Sequence, residues 1–412
     1  MSEAARFHWL LHLDLDQFQV AAERRRRSEL VGEQVIVGGD GDPSKARQVV
    51  TCASYETRDL GVRAGMPLRA AYRKAPGATY LPLDMEFYEQ VSSQVWEAVR
   101  ALGHPVEVWG ADEGYVGFGP RDLDPPPEAD AVRLADDLRA AIRARTGLES
   151  CVGISDNKQR AKIAAGFAKR AVRAAPLEPR RAAPLEPRRK EPRSRCFTLT
   201  DATWFALMGE RPADALWSVG SRTAKRLSDN GIETVAQLAT TPLDTLIGLF
   251  GPHKGNWLYV LARGGGDDSI ALVEPPAKSH SKSRTYPEDL TGRAQLHAAA
   301  HDLLRDVLAQ VVDEGRIAVR VGVTTRSSTF FTKSKMRKLA APTVRYDDVA
   351  PTVDALLDAL IEPAPVEPVA PVEHVVQDPI RPVRLLSVRL ELADRQLVVG
   401  SIPDDTHDTF GC

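Results

Sequence analysis

Leu11-His12-Leu13-Asp14-Leu15-Asp16-Gln17-Phe18 and, about a hundred residues later, Val108-Trp109-Gly110-Ala111-Asp112-Glu113-Gly114-Tyr115-Val116 decide the reading of this chain. Each sets carboxylates in or beside a run that otherwise reads as a buried β-strand. A buried carboxylate is costly unless something pairs with it. Two such places predict strands that converge on a shared cation, and hard divalent ions such as Mg²⁺ favour carboxylate oxygens while leaving positions for substrate phosphates. Residues 8–16 alternate as a strand, which predicts Asp14 and Asp16 on one face. Neighbours on a flat strand point to opposite faces, so Asp112 and Glu113 converge only if the backbone bends, as Gly110 and Gly114 permit. Spacing alone equally allows a solvated hairpin tip.

Working outward, residues 17–30 carry a helical pattern with an arginine run, Val35–Val37 reads as a strand, and 48–83 as a small insert of strand and helices. Helices at 85–103 and 130–146 and a strand at 150–154 complete a β/α alternation typical of an α/β or α+β catalytic domain. The pattern then collapses. Arg-Ala-Ala-Pro-Leu-Glu-Pro-Arg stands twice in tandem, at 173–180 and 181–188, and such a composition builds no core. Helices resume near Thr200, and Gly264-Gly265-Gly266 reads as a hinge. The remainder predicts helices at 294–313 and 351–361, strands at 317–325 and 383–392, and a Pro-rich loop at 363–373.

With 412 residues, three or four domains are expected. A net charge of −2 names no partner, but basic residues cluster locally. Cys52, Cys151, Cys196 and Cys412 lack metal-ligand spacing and read as reduced thiols of a cytoplasmic protein. No apolar run approaches membrane-spanning length, and no signal peptide is recognised. The nine histidines are expected to form no ligand cluster, with His253 and His280 near phosphate or solvent.

Together the motifs resemble the Y-family translesion DNA polymerases, most closely the DinB-like branch. The resemblance rests on Asp14-Leu15-Asp16-Gln17-Phe18, Tyr55-Glu56-Thr57-Arg58, Gly110-Ala111-Asp112-Glu113-Gly114-Tyr115, Asn157-Lys158-Gln159-Arg160-Ala161-Lys162 and Trp217-Ser218-Val219-Gly220. It implies an α/β multidomain (α+β) right hand. The palm would occupy 1–47 and 85–169, the fingers 48–84, a helix-hairpin-helix thumb 200–266 and a little finger 286–400. A basic repeat loop (170–199), a linker (267–285) and a tail (401–412) would complete it.

The resemblance further implies an error-prone, template-directed polymerase with two Mg²⁺ ions, Mn²⁺ being an alternative. Asp14, Asp112 and Glu113 would be catalytic, holding the metals with the Leu15 carbonyl. Leu15, Phe18, Gln19, Thr51, Tyr55, Arg58 and Lys169 would meet the nucleotide, and Asp16 would be a metal neighbour or a helix cap. Primer–template DNA would contact Val219, Gly220, Arg222, Thr223 and Lys225 in the thumb, and Lys282, Arg284, Arg326, Lys333, Lys335 and Arg337 beyond it. The basic stretch 326–338 reads alternatively as a solvated loop.

In the family an aromatic steric gate lies under the incoming sugar, and here that position is Gln19, which opens the use of rNTPs as well as dNTPs. The family's threonine falls on Cys52, with Thr51 one step away. A monomer is expected, and no sliding-clamp peptide is recognised at Asp408–Cys412. A non-catalytic paralogue and a plain helix-hairpin-helix repair protein are the rival readings.

Overall fold

The computed structural model describes residues 4–173, 195–361 and 379–394, and these fall into two compact units, Met1–Pro275 and Pro276–Cys412. The tandem repeat after its first residue, the Pro-rich loop and the tail lie outside the described residues.

In the first unit, strand β1 (Ala4–Leu15) leads through helix α1 (Phe18–Arg26) into a small three-stranded sheet. That sheet joins β2 (Val35–Val37), β3 (Cys52–Ala53) and β4 (Thr79–Leu81), carries helices α2 (Tyr55–Asp59) and α3 (Leu68–Lys74), and is cored by Ile36, Val50, Val62 and Leu68. Residues 35–37, placed by the sequence in the first palm segment, therefore pair within the finger sheet.

The chain returns through α4 (Met85–Arg100), β5 (Val106–Val108), β6 (Glu113–Pro120), α5 (Glu128–Thr146), β7 (Ser150–Ser155), α6 (Lys158–Arg173) and β8 (Cys196–Thr198). The palm sheet runs β5-β6-β1-β7-β8. Alternation along β1 sets its chemistry. Leu11, Leu13 and Leu15 pack with Val91, Val95, Leu134, Leu138 and Ile142 of α4 and α5. Each such leucine contributes roughly 1.5–3 kcal/mol by leaving water. The residues between them, His12 and Asp14, face the opposite way, toward α6.

Two segments assigned to connections are regular structure. β8 lies within the presumed repeat loop, because Cys196–Thr198 pairs in parallel with β7. The presumed linker 267–285 contains β9 (Ser269–Ala271), which pairs with the start of β1, and part of a further strand.

The helical region holds α7 (Asp201–Met208), α8 (Ser221–Ser228), α9 (Val235–Thr240), α10 (Leu243–Phe250) and α11 (Pro252–Ala262) around Trp204, Leu227, Leu238, Leu246 and Leu258. The glycine triplet after α11 is a close-packed joint rather than a hinge. A Cβ on Gly264 would lie 2.5 Å from the Arg160 guanidinium, and one on Gly266 would lie 2.0 Å from the Gln159 side chain. Asn157 Nδ2 donates to the Gly264 carbonyl (2.9 Å), and Gln159 Oε1 accepts from the Asp267 amide (2.7 Å). The polar motif 157–160 is buried because it fastens α6 to this joint.

The second unit is a four-stranded antiparallel sheet with two helices: β10 (Ser279–Gly292), α12 (Arg293–Asp313), β11 (Arg316–Ser327), β12 (Thr332–Thr343), α13 (Tyr346–Asp358) and β13 (Pro379–Asp394). The sheet order is β10-β13-β11-β12. Leu296, Leu303, Leu304 and Val307 of α12 and Val349, Val353 and Leu357 of α13 cover one face through Val321, Val323, Leu386, Val388 and Leu390.

Candidate active site and nucleic-acid surfaces

The two acidic stretches meet. Asp14 is the register partner of Glu113, and the Leu15 amide donates to the Asp112 carbonyl at 2.9 Å. Asp112 lies in the turn before β6, so strand alternation does not apply to it. The glycines beside it have other duties. A side chain at Gly110 would meet only ordinary contacts, whereas a Cβ at Gly114 would lie 2.7 Å from Trp96.

Cations fill this oxygen cluster from α6. The Lys169 ammonium lies 2.5 Å from Asp14 Oδ1 and donates to the Leu15 carbonyl at 3.2 Å. Lys162, two helical turns earlier, pairs with Glu113. The remaining balance is still anionic. Burial, and then the charges of Asp14 and Glu113, push the Asp112 carboxyl upward. Contact with His12, helped by Lys162, pulls Glu113 down to about 2. His12 itself is fully buried against Tyr115, and burial lowers its pKa. A neutral His12, 3.6 Å from Glu113 and 3.5 Å from the Lys162 ammonium, contributes shape more than charge. Three carboxylates and a carbonyl whose cluster already accepts an ammonium fit the donor chemistry of a hard divalent cation. Lys162 and His12 belong to this site: the first reaches Glu113 from α6, the second from β1 beside it.

Asp16 parts from Asp14. The strand ends at Leu15 and Gln17 takes a left-handed backbone (φ +43°), which turns Asp16 into a separate buried node. Asp16 accepts from the Tyr55 hydroxyl at 2.9 Å and pairs with Arg195. It caps nothing: Gln17 is the N-cap residue of α1. The Gln17 side chain instead accepts from the Tyr55 amide at 2.8 Å, and so joins the two motifs.

Tyr55 and Arg58 share a face of α2, with the Arg58 guanidinium 5.3 Å from the Tyr55 ring. Arg58 also donates to the Ala53 carbonyl. Phe18 is a buried residue, edge-on to Tyr88. Gln19 is half-buried and held, because its amide oxygen accepts from the Thr51 hydroxyl at 2.7 Å. Thr51, not the buried Cys52, supplies the hydroxyl here.

At the start of α8, Gly220, Ser221 and Arg222 are exposed, and a Cβ on Gly220 would meet open space. Val219 and Thr223 are buried, and Thr223 accepts from Lys254 at 2.7 Å. Lys225 is exposed and pairs with Asp229.

In the second unit, register sorts the predicted contacts. Lys333, Lys335 and Arg337 stand opposite Thr325, Val323 and Val321, on the side of the helices, and Lys335 donates to the Ala359 carbonyl. Lys282 and Arg284 pair with Val388 and Leu386, on the same side. The face away from the helices carries Arg320, Arg326, Lys338 and Arg389 among hydroxyls. Thr324 and Ser334 touch across strands there at 2.7 Å, as do Ser283 and Ser387. Of the predicted set only Arg326 lies on this open face.

Among the described residues no helix is long and apolar enough to cross a membrane. The histidine expectation fails. His297 and His301 of α12 and Asp354 of α13 bring three ligand atoms within 4.8 Å of one another. His280 contacts Glu314.

Geometry and fold define a right-hand nucleotidyltransferase. Residues 13–166 match the impB/mucB/samB family, 277–396 its C-terminal domain, and 214–266 the DNA polymerase-iota thumb domain. The DNA polymerase IV 2 proteins of Mycobacterium bovis and Mycobacterium tuberculosis are 44% identical over 385 residues, covering 93% of this chain and 98% of theirs. The DNA polymerase IV of Streptomyces coelicolor is 32% identical, over 85% of this chain and 67% of its own. A Dbh–Dpo4 Y-family polymerase chimera shares the fold, with a TM-score of 0.71 at 22% identity, over 93% of this chain and 98% of that one. The chain belongs to the impB/mucB/samB family, the DinB-like branch of the Y-family polymerases, and is a translesion DNA-directed DNA polymerase. Enzymes of this class need divalent metal ions.

Proposed function

We propose that Asp14, Asp112, Glu113 and the Leu15 carbonyl hold two Mg²⁺ ions, replaceable by Mn²⁺, for adding nucleotides to a primer 3′-hydroxyl on template DNA. The observation that carries this reading is the Lys169 ammonium lodged between Asp14 and the Leu15 carbonyl. When bound, such ions supply activation of the attacking hydroxyl and neutralisation of the leaving pyrophosphate. Lys169 then leaves the carboxylates and joins Arg58 and Tyr55 on the triphosphate, where a planar guanidinium suits phosphate oxygens. Lys162 stays on Glu113 and orients it.

Gln19 supports a second element of the proposal, relaxed sugar selectivity. Thr51 engages the amide oxygen, while the amide nitrogen has no hydrogen-bond partner among the described residues. It remains able to donate to a ribose 2′-oxygen, in a place where the family sets an aromatic ring. The exposed N-terminus of α8 and the open face with Arg320, Arg326, Lys338 and Arg389 are proposed to grip DNA phosphates without regard to base. All three carboxylates are present, which favours an active enzyme over a non-catalytic paralogue. Primer extension with dNTPs or rNTPs, with and without Mg²⁺, tests the reading. Metal-dependent extension supports it, and extension that persists in chelator rejects the metal assignment.

A further inference from the structure

We propose that His297, His301 and Asp354 form a binding site for a transition-metal dication of the Zn²⁺ class, which clasps α12 to α13 in the second unit. His297 and His301 are four residues apart, and so share a face of α12. Asp354 reaches both imidazoles from α13: its Oδ1 lies 2.6 Å from His297 Nδ1 and 3.0 Å from His301 Nε2. Two imidazoles and a carboxylate are a donor set typical of Zn²⁺, and a hard ion such as Mg²⁺ has little use for the nitrogens. Around a tetrahedral ion with bonds of about 2.0 Å, ligand atoms stand about 3.3 Å apart. The three atoms here are within 4.8 Å of one another, so side-chain rotation closes the set.

The surroundings distinguish this from a chance surface cluster. Metal-bound histidines commonly donate their second ring nitrogen to an oxygen that fixes the tautomer. Both histidines have that partner. His297 Nε2 lies 3.1 Å from Asp358 Oδ1, and His301 Nδ1 lies 2.8 Å from the Tyr346 hydroxyl. Without a cation, these contacts have His297 Nδ1 and His301 Nε2 donating to Asp354; with one bound, donation from His297 Nε2 and His301 Nδ1 to their second partners would leave His297 Nδ1 and His301 Nε2 as lone-pair ligands. Asp358 is itself held by Arg293 at 2.6 Å, which balances its charge and leaves Asp354 as the anionic ligand. The three ligand side chains are half-buried at the helix surface, so a fourth position is open to water.

The test uses the full-length chain, stripped with chelator and titrated with Zn²⁺ or, as a spectroscopic probe, Co²⁺. The palm carboxylates are silenced by Asp112→Ala, and millimolar Mg²⁺ is kept present. The expected result is one tightly held Zn²⁺ per chain, a four-coordinate Co²⁺ absorption, and a rise in melting temperature on loading. Asp354→Asn keeps the side-chain shape and should abolish all three, as should His301→Ala. Tyr346→Phe and Asp358→Asn, which remove only the orienting partners, should weaken binding ~10–100-fold. Should His301→Ala fail to fold, Asp354→Asn gives the reading alone. No Mg²⁺-resistant Zn²⁺ in the Asp112→Ala protein, or undiminished binding in Asp354→Asn, overturns the proposal.

Discussion

The palm sheet and the sheet of the second unit use the same alternation for opposite purposes. In the palm, both faces of β1 are covered, and the polar residues on the α6 side are acids and a histidine gathered at one end. In the second unit, among the described residues, helices cover one face, and the other spreads arginines, lysine and hydroxyls across four strands. Concentrated buried charge suits chemistry at one point, where a low dielectric strengthens each interaction. Dispersed exposed charge suits a polyanion, whose grip comes from counterion release. The difference teaches that charge placement, not sheet architecture, separates a catalytic sheet from a binding one.

The comparison breaks if the two sheets respond alike to salt and substitution. DNA affinity should fall on the order of 10³-fold between 50 and 200 mM salt if about six phosphates are contacted. A nearly flat anisotropy titration would reject the dispersed grip. Asp112→Ala or Glu113→Ala should slow nucleotide addition by ~10²-fold or more while leaving primer–template affinity nearly unchanged. Near-normal extension by either variant would sink the palm assignment.

Sugar choice sharpens the palm side of the comparison. Gln19→Phe should suppress ribonucleotide incorporation by roughly 10–100-fold, since overlap in a tight site costs about 1–3 kcal/mol. Equal and strong preference for dNTPs in both proteins rejects the idea. The smallest effect divides the two faces of the second sheet. Lys338→Ala should lower the salt slope by about one unit, roughly a three-fold change over that salt range. Arg337→Ala, on the helix side, should change it less; equal losses would show that the open face is not the gripping face.

The palm was legible because β1 states its pattern plainly: leucines at alternate positions, then acids. What could not be read was how the strand ends. The left-handed turn at Gln17 sends Asp16 to Tyr55 and Arg195, and nothing in a glutamine announces it. The second sheet was half legible. β11 and β13 carry buried valines and leucines, but β10 and β12 are edge strands with mostly polar residues, so a periodicity reading returned linker and loop. The same error misplaced the DNA contacts, because without a register the faces of β12 cannot be told apart. Both helices bearing His297, His301 and Asp354 were legible, with the two histidines at helical spacing. Their meeting was not, since it depends on how α12 and α13 pack.

The fixed ends around the tandem octapeptide have a genetic consequence. Upstream, Lys169 on α6 is tied to Asp14; downstream, Arg195 is tied to Asp16 and β8 to β7. Gaining or losing one copy of the octapeptide changes the chain by eight residues and leaves both anchors in the sequence. Any flexible connection of about twenty residues that gains eight adds only about 0.3 kcal/mol of closure entropy. A change in copy number therefore costs little while Lys169 stays tied to Asp14 and Arg195 to Asp16.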